Sequence, residues 1–268
     1  MRILFLGDIV GELACLSVYQ NLPIIIKKKK IDFVVVNGEN AATQGVGITD
    51  DICKKLFNSG VDVITSGNHI WDQKEIMNYI ENENRLLRPE NLISPAPGKG
   101  FGIFKAKNGK KICVLNLMGN VFMKKCDDVF EKSKKFTEKY DLKRDYDFLI
   151  VDFHGETTSE KMAIGHFFDG KATLVVGTHT HVPTNDARIL KNGTAYQTDA
   201  GMCGVYDSVI GMDKNNSLNR FFKKNSEKHY PAKGKVSLTG SIIETDSETG
   251  LAKDIEQYIY GGDLKNSV

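Results

Sequence analysis

Five short apolar runs alternate with longer amphipathic stretches along the first two thirds of the chain. The runs are residues 3–6, 33–36, 61–65, 148–153 and 173–176. Aliphatic and β-branched residues fill each run almost without interruption, which is typical of strands covered on both faces, and the helical stretches between them indicate βαβ units. The first three runs begin about 30 residues apart, a spacing that fits strand, crossover helix and strand. We therefore expect these three strands to be parallel neighbours.

A different pattern occupies residues 101–119 and 187–260, where strand-like stretches are separated by turn signals. The dipeptides Asn108-Gly109, Asn192-Gly193 and Thr249-Gly250 mark these turns and predict antiparallel hairpins. The whole pattern predicts an α/β protein in which a parallel-rich sheet packs against a more antiparallel one. Because no Pro-rich or Gly-rich linker divides the chain, we expect residues 1–268 to form a single domain.

Each of the five apolar runs is followed by residue types that bind metals. These residues are Gly7-Asp8, Asn37-Gly38-Glu39-Asn40, Ser66-Gly67-Asn68-His69, His154 and Gly177-Thr178-His179-Thr180-His181. In open α/β sheets, ligands bind at the carboxyl ends of the strands, so parallel pairing would bring all five ends to one place. A glycine next to most of these polar groups allows the tight turn that such close approach needs.

The number of candidate ligands points to two ions rather than one. Two acids, two asparagines and up to four imidazoles exceed the needs of a single ion, whereas two adjacent divalent ions sharing a bridging carboxylate would use them. Paired ions about 3.5 to 4 Å apart clamp both sides of a phosphoryl displacement, so phosphoester hydrolysis is the predicted chemistry. Oxygen and nitrogen ligands without thiolate argue against structural zinc and leave iron, manganese or zinc open.

Composition narrows the class of protein and its compartment. The 268 residues carry 36 basic and 34 acidic side chains, a balance too close to neutral for a protein that mainly binds nucleic acid. The charge-dense segment 214–235 is interpreted as solvated surface, and the longest apolar runs are far shorter than the roughly 20 residues of a membrane helix. Five scattered cysteines without a C-x-x-C pair favour a reducing compartment, and we place the protein in the cytoplasm.

The order of the strand-end motifs resembles the signature of the calcineurin-like metallophosphoesterases. More narrowly, the segments GDIVG, NGENAA, GNHIWD, DFHGETTSEK, GTHTHVPT, TDAGMCG and YDSVIGM resemble the small bacterial YmdB-like branch, whose members hydrolyse cyclic nucleotides. The resemblance implies a four-layer α/β/β/α fold, which is a mixed β-sandwich flanked by helices. It also suggests a homo-oligomer.

The resemblance also implies a ligand set for two divalent or mixed-valence metal ions, with iron preferred and manganese or zinc open. Asp8, Glu39, Asn40 and His181 would hold one ion, and Glu39, Asn68, His154 and His179 the other, with Glu39 bridging. His69 would protonate the departing oxygen. Val10 stands where the wider superfamily has a histidine ligand, for which Asn40 would compensate, and Glu39 replaces the usual bridging aspartate, as in the YmdB-like branch.

The leading hypothesis is a phosphodiesterase that hydrolyses 2′,3′-cyclic or 3′,5′-cyclic nucleotides through attack by a metal-bridging hydroxide. Two alternatives stay open: a phosphomonoesterase acting on a nucleotide or phosphoprotein, and an RNA-binding regulator with structural metals, which the net charge does not favour.

Two neighbours of His69 could serve either the active site or the local structure. Trp71 either stacks on a base or anchors its loop, and Asp72 is expected to cap the next helix rather than to orient His69.

Overall fold

The computed structural model describes residues 1–225 and 227–267 and contains two mixed β-sheets with helices on their outer faces. The strands are β1 Arg2–Leu6, β2 Asp8–Ile9, β3 Phe33–Asn37, β4 Val63–Thr65, β5 Phe101–Lys105, β6 Lys111–Met118, β7 Phe148–His154, β8 Leu174–Thr178, β9 Arg188–Ile189, β10 Ala195–Gln197, β11 Met202–Val205, β12 Val236–Thr245 and β13 Ala252–Tyr260. The helices are α1 Gly11–Lys29, α2 Asp50–Asn58, α3 Ile76–Asn82, α4 Val129–Lys139, α5 Thr158–Phe168 and α6 Lys214–Phe221. None of the described helices is both long and apolar enough to cross a membrane.

The first sheet has the strand order β2-β11-β12-β1-β3-β4, and β13 pairs with β12. β1, β3 and β4 are parallel neighbours, as their 30-residue spacing predicts. β12 runs antiparallel to β1, β11 and β13. The strand β12, which is more than 200 residues from β1 in the sequence, therefore lies beside it.

The second sheet has the order β5-β6-β7-β8-β10-β9, with four parallel strands inside and an antiparallel strand at each edge. All three predicted hairpins are present, as β5-β6, β9-β10 and β12-β13. The expected contrast between a parallel-rich sheet and a more antiparallel one is present but small, because both sheets are mixed. Among the described strands, the second sheet has three parallel and two antiparallel pairs, and the first has three of each. Three apolar runs lie in the first sheet and two in the second, because an apolar run reports burial on both faces and does not specify which sheet a strand joins.

The core forms three layers that follow the alternation of side chains along each strand. Between the sheets, Ile3, Phe5 and Val35 pack against Ile150 and Leu174. The opposite face of the first sheet packs on α1 and α2, and the opposite face of the second sheet packs on α4 and α5. The result is the predicted four-layer α/β/β/α architecture.

The carboxyl ends of the parallel strands in both sheets meet at one edge of the sandwich. At the end of β3, Asn37 Nδ2 donates to Asp152 Oδ2 of β7 over 3.1 Å. Thr65, the last residue of β4, donates to the same oxygen over 2.5 Å. The five strand ends therefore converge although their strands belong to two sheets.

Candidate active site

Two glycines allow the strand ends to approach each other closely. A Cβ placed on Gly67 would lie 2.3 Å from His154 Nε2 and 2.4 Å from Glu39 Oε2. A Cβ on Gly177 would lie 1.8 Å from the carbonyl oxygen of Thr198. Any larger residue at these two positions would displace neighbouring polar groups. Glycine is required here because there is no room for a side chain, and not because of its backbone dihedral angles.

The first group of contacts in this cluster centres on His154. Its Nε2 lies 2.9 Å from Glu39 Oε1, 3.0 Å from Asn68 Oδ1 and 3.1 Å from His179 Nδ1. Single ligand atoms of Glu39, His154 and His179 all fall within 4.8 Å of one another, close enough to hold one metal ion.

The second group includes Asn40, which contacts the same Glu39 oxygen as His154 does. Asn40 Nδ2 is 3.2 Å from His181 Nε2 and 3.3 Å from Glu39 Oε1. Asp8 Oδ1 is 3.9 Å from His181 Nε2, and Asp8 Oδ2 accepts the backbone N–H of His179. The structure thus brings together all seven residues for which the sequence predicted metal ligation, in two groups that share Glu39.

The imidazoles are oriented by partners on their far nitrogens. His154 Nδ1 lies 2.9 Å from Thr178 Oγ1, which itself donates to Asp152 Oδ1 over 2.7 Å. His181 Nδ1 lies 2.8 Å from the carbonyl oxygen of Ile210. Because these acceptors hold a proton on Nδ1, the Nε2 atoms of both rings face the cluster, the orientation found in a histidine that ligates a metal.

The charges in the cluster fit a bound cation. Asp8 Oδ1 is buried and has no hydrogen-bond partner, a costly state for a carboxylate unless an ion compensates it. Burial raises the pKa of Asp8. Burial also lowers the pKa of His179, with help from the neighbouring His154, to about 3, so that its ring is neutral and free to ligate.

Glu39 and His154 form a buried pair in the absence of metal. Burial opposes ionisation of both groups, but the attraction between them prevails, so that the pKa of Glu39 falls to about 2 and the pKa of His154 rises to about 9. An imidazolium cannot bind a cation, so His154 would have to lose this proton before it could hold a metal ion.

His69 lies at the rim of the cluster and not among its buried members. Its backbone N–H donates to Glu39 Oε2, and its side chain is 31% exposed. Its Nδ1 is 2.6 Å from Asp72 Oδ2. The expectation that Asp72 caps the following helix is wrong, because α3 begins only at Ile76 and its N-cap residue is Glu75.

The loop that carries His179 and His181 is strained. Both residues have positive φ angles, 99° and 65°, a conformation that costs a non-glycine residue about 1 to 3 kcal/mol. Asp199 holds this loop: its Oδ2 accepts from the backbone N–H and the hydroxyl of Thr180 and from Lys161 Nζ at 2.5 Å. Lys161 and Asp199 are both 1% exposed.

Lys161 and Asp199 lie in the motifs DFHGETTSEK and TDAGMCG, but neither is among the residues predicted from the sequence to form the site. A signal was available in α5, where Lys161 precedes the buried Ile164 and Phe168 by three and seven residues. These positions lie on one helix face, so a lysine in that register predicts a buried, paired cation.

We expect Lys161→Met to lower the free energy of unfolding by about 3 kcal/mol, because it leaves the Asp199 carboxylate buried without its cation. Denaturant unfolding in the presence of a chelator measures this loss without a contribution from bound metal. The control is Lys135→Met, which removes one partner of the exposed pair with Glu131 and should leave stability nearly unchanged. Equal stability of the two variants would show that the Asp199 hydrogen bonds hold the loop without Lys161.

Two clefts open beside the cluster. One, of about 480 Å³, is lined by His69, Val46, Ile210, Arg220 and Phe221 among others. The other, of about 460 Å³, is lined by Asn68, Trp71, Ile93, Lys124 and their neighbours. One side of α6 therefore forms a cleft wall, although the segment 214–235 was interpreted as solvated surface.

Comparisons with known proteins identify the family of the chain. The 2′,3′-cyclic-nucleotide 2′-phosphodiesterase of Bacillus subtilis is 44% identical over 98% of each chain. The crystal structure of a phosphatase from Mycoplasma pneumoniae has a TM-score of 0.90 at 37% identity, covering 98% of this chain and 94% of that one. A hypothetical protein from Thermus thermophilus has a TM-score of 0.89 at 38% identity, covering 98% and 100%. The YmdB-like protein family matches residues 4–258, and the chain belongs to this family of metallophosphoesterases.

Proposed function

We propose that this phosphoric ester hydrolase is a phosphodiesterase that opens 2′,3′-cyclic nucleotides at the 2′ oxygen. The observation that carries the proposal is the cluster of seven metal-ligand side chains at the joined strand ends, in a chain 44% identical to a relative with that named activity. The family implies divalent metal ions, and the unpartnered Asp8 Oδ1 and the inward-facing imidazole nitrogens fit them.

The two contact groups support a division of the ligands between two ions. Asp8, Glu39, Asn40 and His181 would hold one ion, and Glu39, Asn68, His154 and His179 the other. Two adjacent cations, when bound, neutralise phosphoryl oxygens and make water a nucleophile near neutral pH. Iron is our preferred metal, with manganese or zinc as alternatives.

His69 is proposed to donate the proton to the leaving oxygen. Asp72 occupies Nδ1, so Nε2 is the nitrogen left to act on substrate. The Asp72 carboxylate would fix the orientation of the ring, as expected for a positioned general acid. No ligand role is needed from His69, because the buried cluster already supplies seven side chains.

The decisive experiment is elemental analysis of the purified protein combined with product analysis on three substrates. A 2′,3′-cyclic nucleotide should yield the 3′-nucleotide, faster than a 3′,5′-cyclic nucleotide or a phosphomonoester such as a 5′-nucleotide reacts. Release of the 2′-nucleotide would overturn the proposed bond cleavage. A preference for the monoester would favour the phosphatase alternative, which the name of the Mycoplasma relative keeps relevant.

We expect alanine substitution of His154, His179 or His181 to remove metal together with activity, because each ring faces the cluster with an unprotonated nitrogen in the loaded protein. Metal content per chain and turnover are measured on the same preparation. His166→Ala is the matched control, since this histidine lies on the exposed face of α5 and should keep both properties. Full metal occupancy in all three variants would contradict the ligand assignment.

The cysteines support a reducing location. All five are free thiols, and four of them are buried, a state that persists in the cytoplasm. We therefore propose cytoplasmic action; assembly into a homo-oligomer stays a prediction of the family resemblance.

A further inference from the structure

The cleft beside His69 combines an apolar wall with an exposed aromatic ring. Val46, Ile210 and Met212 line it together with Phe221, the last residue of α6. Phe221 is 77% exposed, so the face of its ring is available to a ligand in the cleft. A cleft of about 480 Å³ has the size of a small-molecule site.

The cleft is joined to the candidate ligand cluster by two of its own wall residues. Ile210 accepts from His181 Nδ1 through its carbonyl oxygen. His69 forms part of the wall, and its backbone N–H donates a hydrogen bond to Glu39 Oε2. A molecule that occupies the cleft therefore lies beside the candidate ligand cluster.

We propose that this cleft binds the nucleobase of the substrate, with the Phe221 ring as its stacking surface. The inference rests on the proposed function and extends it by assigning the base a place. Every base offers a flat π face, and base stacking on an aromatic side chain strengthens binding without requiring a particular sequence or base. The cleft thus selects nucleotides as a class and tolerates different bases.

The chemistry of ring opening distinguishes this cleft from the one lined by Trp71. Water attacks phosphorus and loses one proton to solvent, the bond from phosphorus to O2′ breaks, and O2′ takes the proton of His69 to give a 3′-nucleotide. His69 then regains a proton from solvent. O2′ is bonded to C2′, and the base is bonded to the adjacent C1′. The base must therefore lie on the His69 side of the phosphate, and His69 lines only the Phe221 cleft of the two.

The neighbouring residue provides a matched control. Phe222 is 69% exposed and contributes nothing to the wall of this cleft. Phe221→Ala and Phe222→Ala remove the same side chain from adjacent exposed positions. A general effect on α6 or on folding would appear in both variants, whereas loss of base stacking would appear in the first alone.

The test measures kcat and KM of the metal-loaded enzyme on 2′,3′-cyclic AMP and on 1-O-methylribose 2′,3′-cyclic phosphate, which has the same reacting group without a base. Phe221→Ala should lower kcat/KM about 5- to 100-fold on the nucleotide, mainly through KM, the range that loss of one stacking contact produces. It should leave the rate on the abasic substrate unchanged. Phe221→Tyr should restore nucleotide turnover, and Phe222→Ala should match wild type on both substrates.

Binding of 3′-AMP to the same proteins provides a second readout that does not depend on turnover. If the wild-type enzyme hydrolyses neither cyclic substrate, the proposed function fails, and weaker 3′-AMP binding by Phe221→Ala alone would still support a base site in the cleft. Equal loss on the nucleotide and the abasic substrate would overturn the proposal, because Phe221 would then act on the phosphate site. Unchanged kinetics and binding in Phe221→Ala would also overturn it.

Discussion

Glu39→Gln is expected to abolish turnover and to lower the metal content while the fold persists. Glu39 is buried, lies between the two contact groups and touches His154, Asn40 and the backbone of His69. A neutral amide has nearly the same shape but supplies one weak oxygen ligand where a carboxylate supplies two charged ones. The loss should exceed the roughly 10- to 100-fold that changes outside the ligand sphere cause.

The measurements are metal equivalents per chain, turnover of a 2′,3′-cyclic nucleotide and far-UV circular dichroism. Glu156→Gln is a demanding control because Glu156 contacts the far nitrogen of His179 at 3.1 Å while its side chain is 49% exposed. It should retain both metals and most of the activity. Turnover near the wild-type level in Glu39→Gln would eliminate the bridging role, and loss of metal in Glu156→Gln would show that outer contacts control loading.

The strand ends were predictable because they depend on local sequence. An apolar run followed by glycine and a polar side chain, such as Leu6 before Gly7-Asp8, specifies both a strand and a ligand type without knowledge of the partner strands. The same is true of the hairpin at Asn108-Gly109, where turn residues alone set the pairing. These features account for the architecture and for the gathering of seven candidate ligands.

Other features depend on contacts between distant residues, and local sequence does not encode those contacts visibly. The pairing of Lys161 with Asp199 joins α5 to the segment before β11. The division of five similar apolar runs between two sheets depends on which strands β12 and β10 join. Asp72 was misassigned because an acidic residue before a helical stretch resembles a cap, whereas the contact with His69 depends on where the helix begins.

The same limit applies to Phe221. In the sequence it belongs to a charge-dense segment whose composition is typical of solvated surface. Only the fold places the end of α6 opposite His69, about 150 residues earlier in the chain. A recognition surface assembled from distant segments leaves little trace in local pattern, because its residues need only be exposed and correctly placed.

His69→Ala is expected to keep both metal ions and to lose rate on a 2′,3′-cyclic nucleotide by about 10²- to 10⁴-fold, the contribution of general acid catalysis. The side chain of His69 contacts Asp72 and stays at the rim of the cluster, so its removal leaves the buried ligands in place. Asn68→Ala provides the contrast, since the Asn68 oxygen lies 3.0 Å from His154 Nε2 and its loss should disturb the metals.

The dependence on the leaving group separates proton donation from other roles of the same imidazole. An aryl phosphodiester releases a phenolate that needs little protonation, so the ratio of wild-type to His69→Ala rates should be much smaller on this substrate than on the cyclic nucleotide. Asp72→Asn should show the same pattern in weaker form, because it alters the side chain that orients the His69 ring but leaves the ring in place. Equal losses on both substrates would mean that His69 binds the phosphate, and loss of metal from His69→Ala would make it a ligand. A loss confined to the poor leaving group would identify His69 as the proton donor, since only that role depends on the basicity of the departing oxygen.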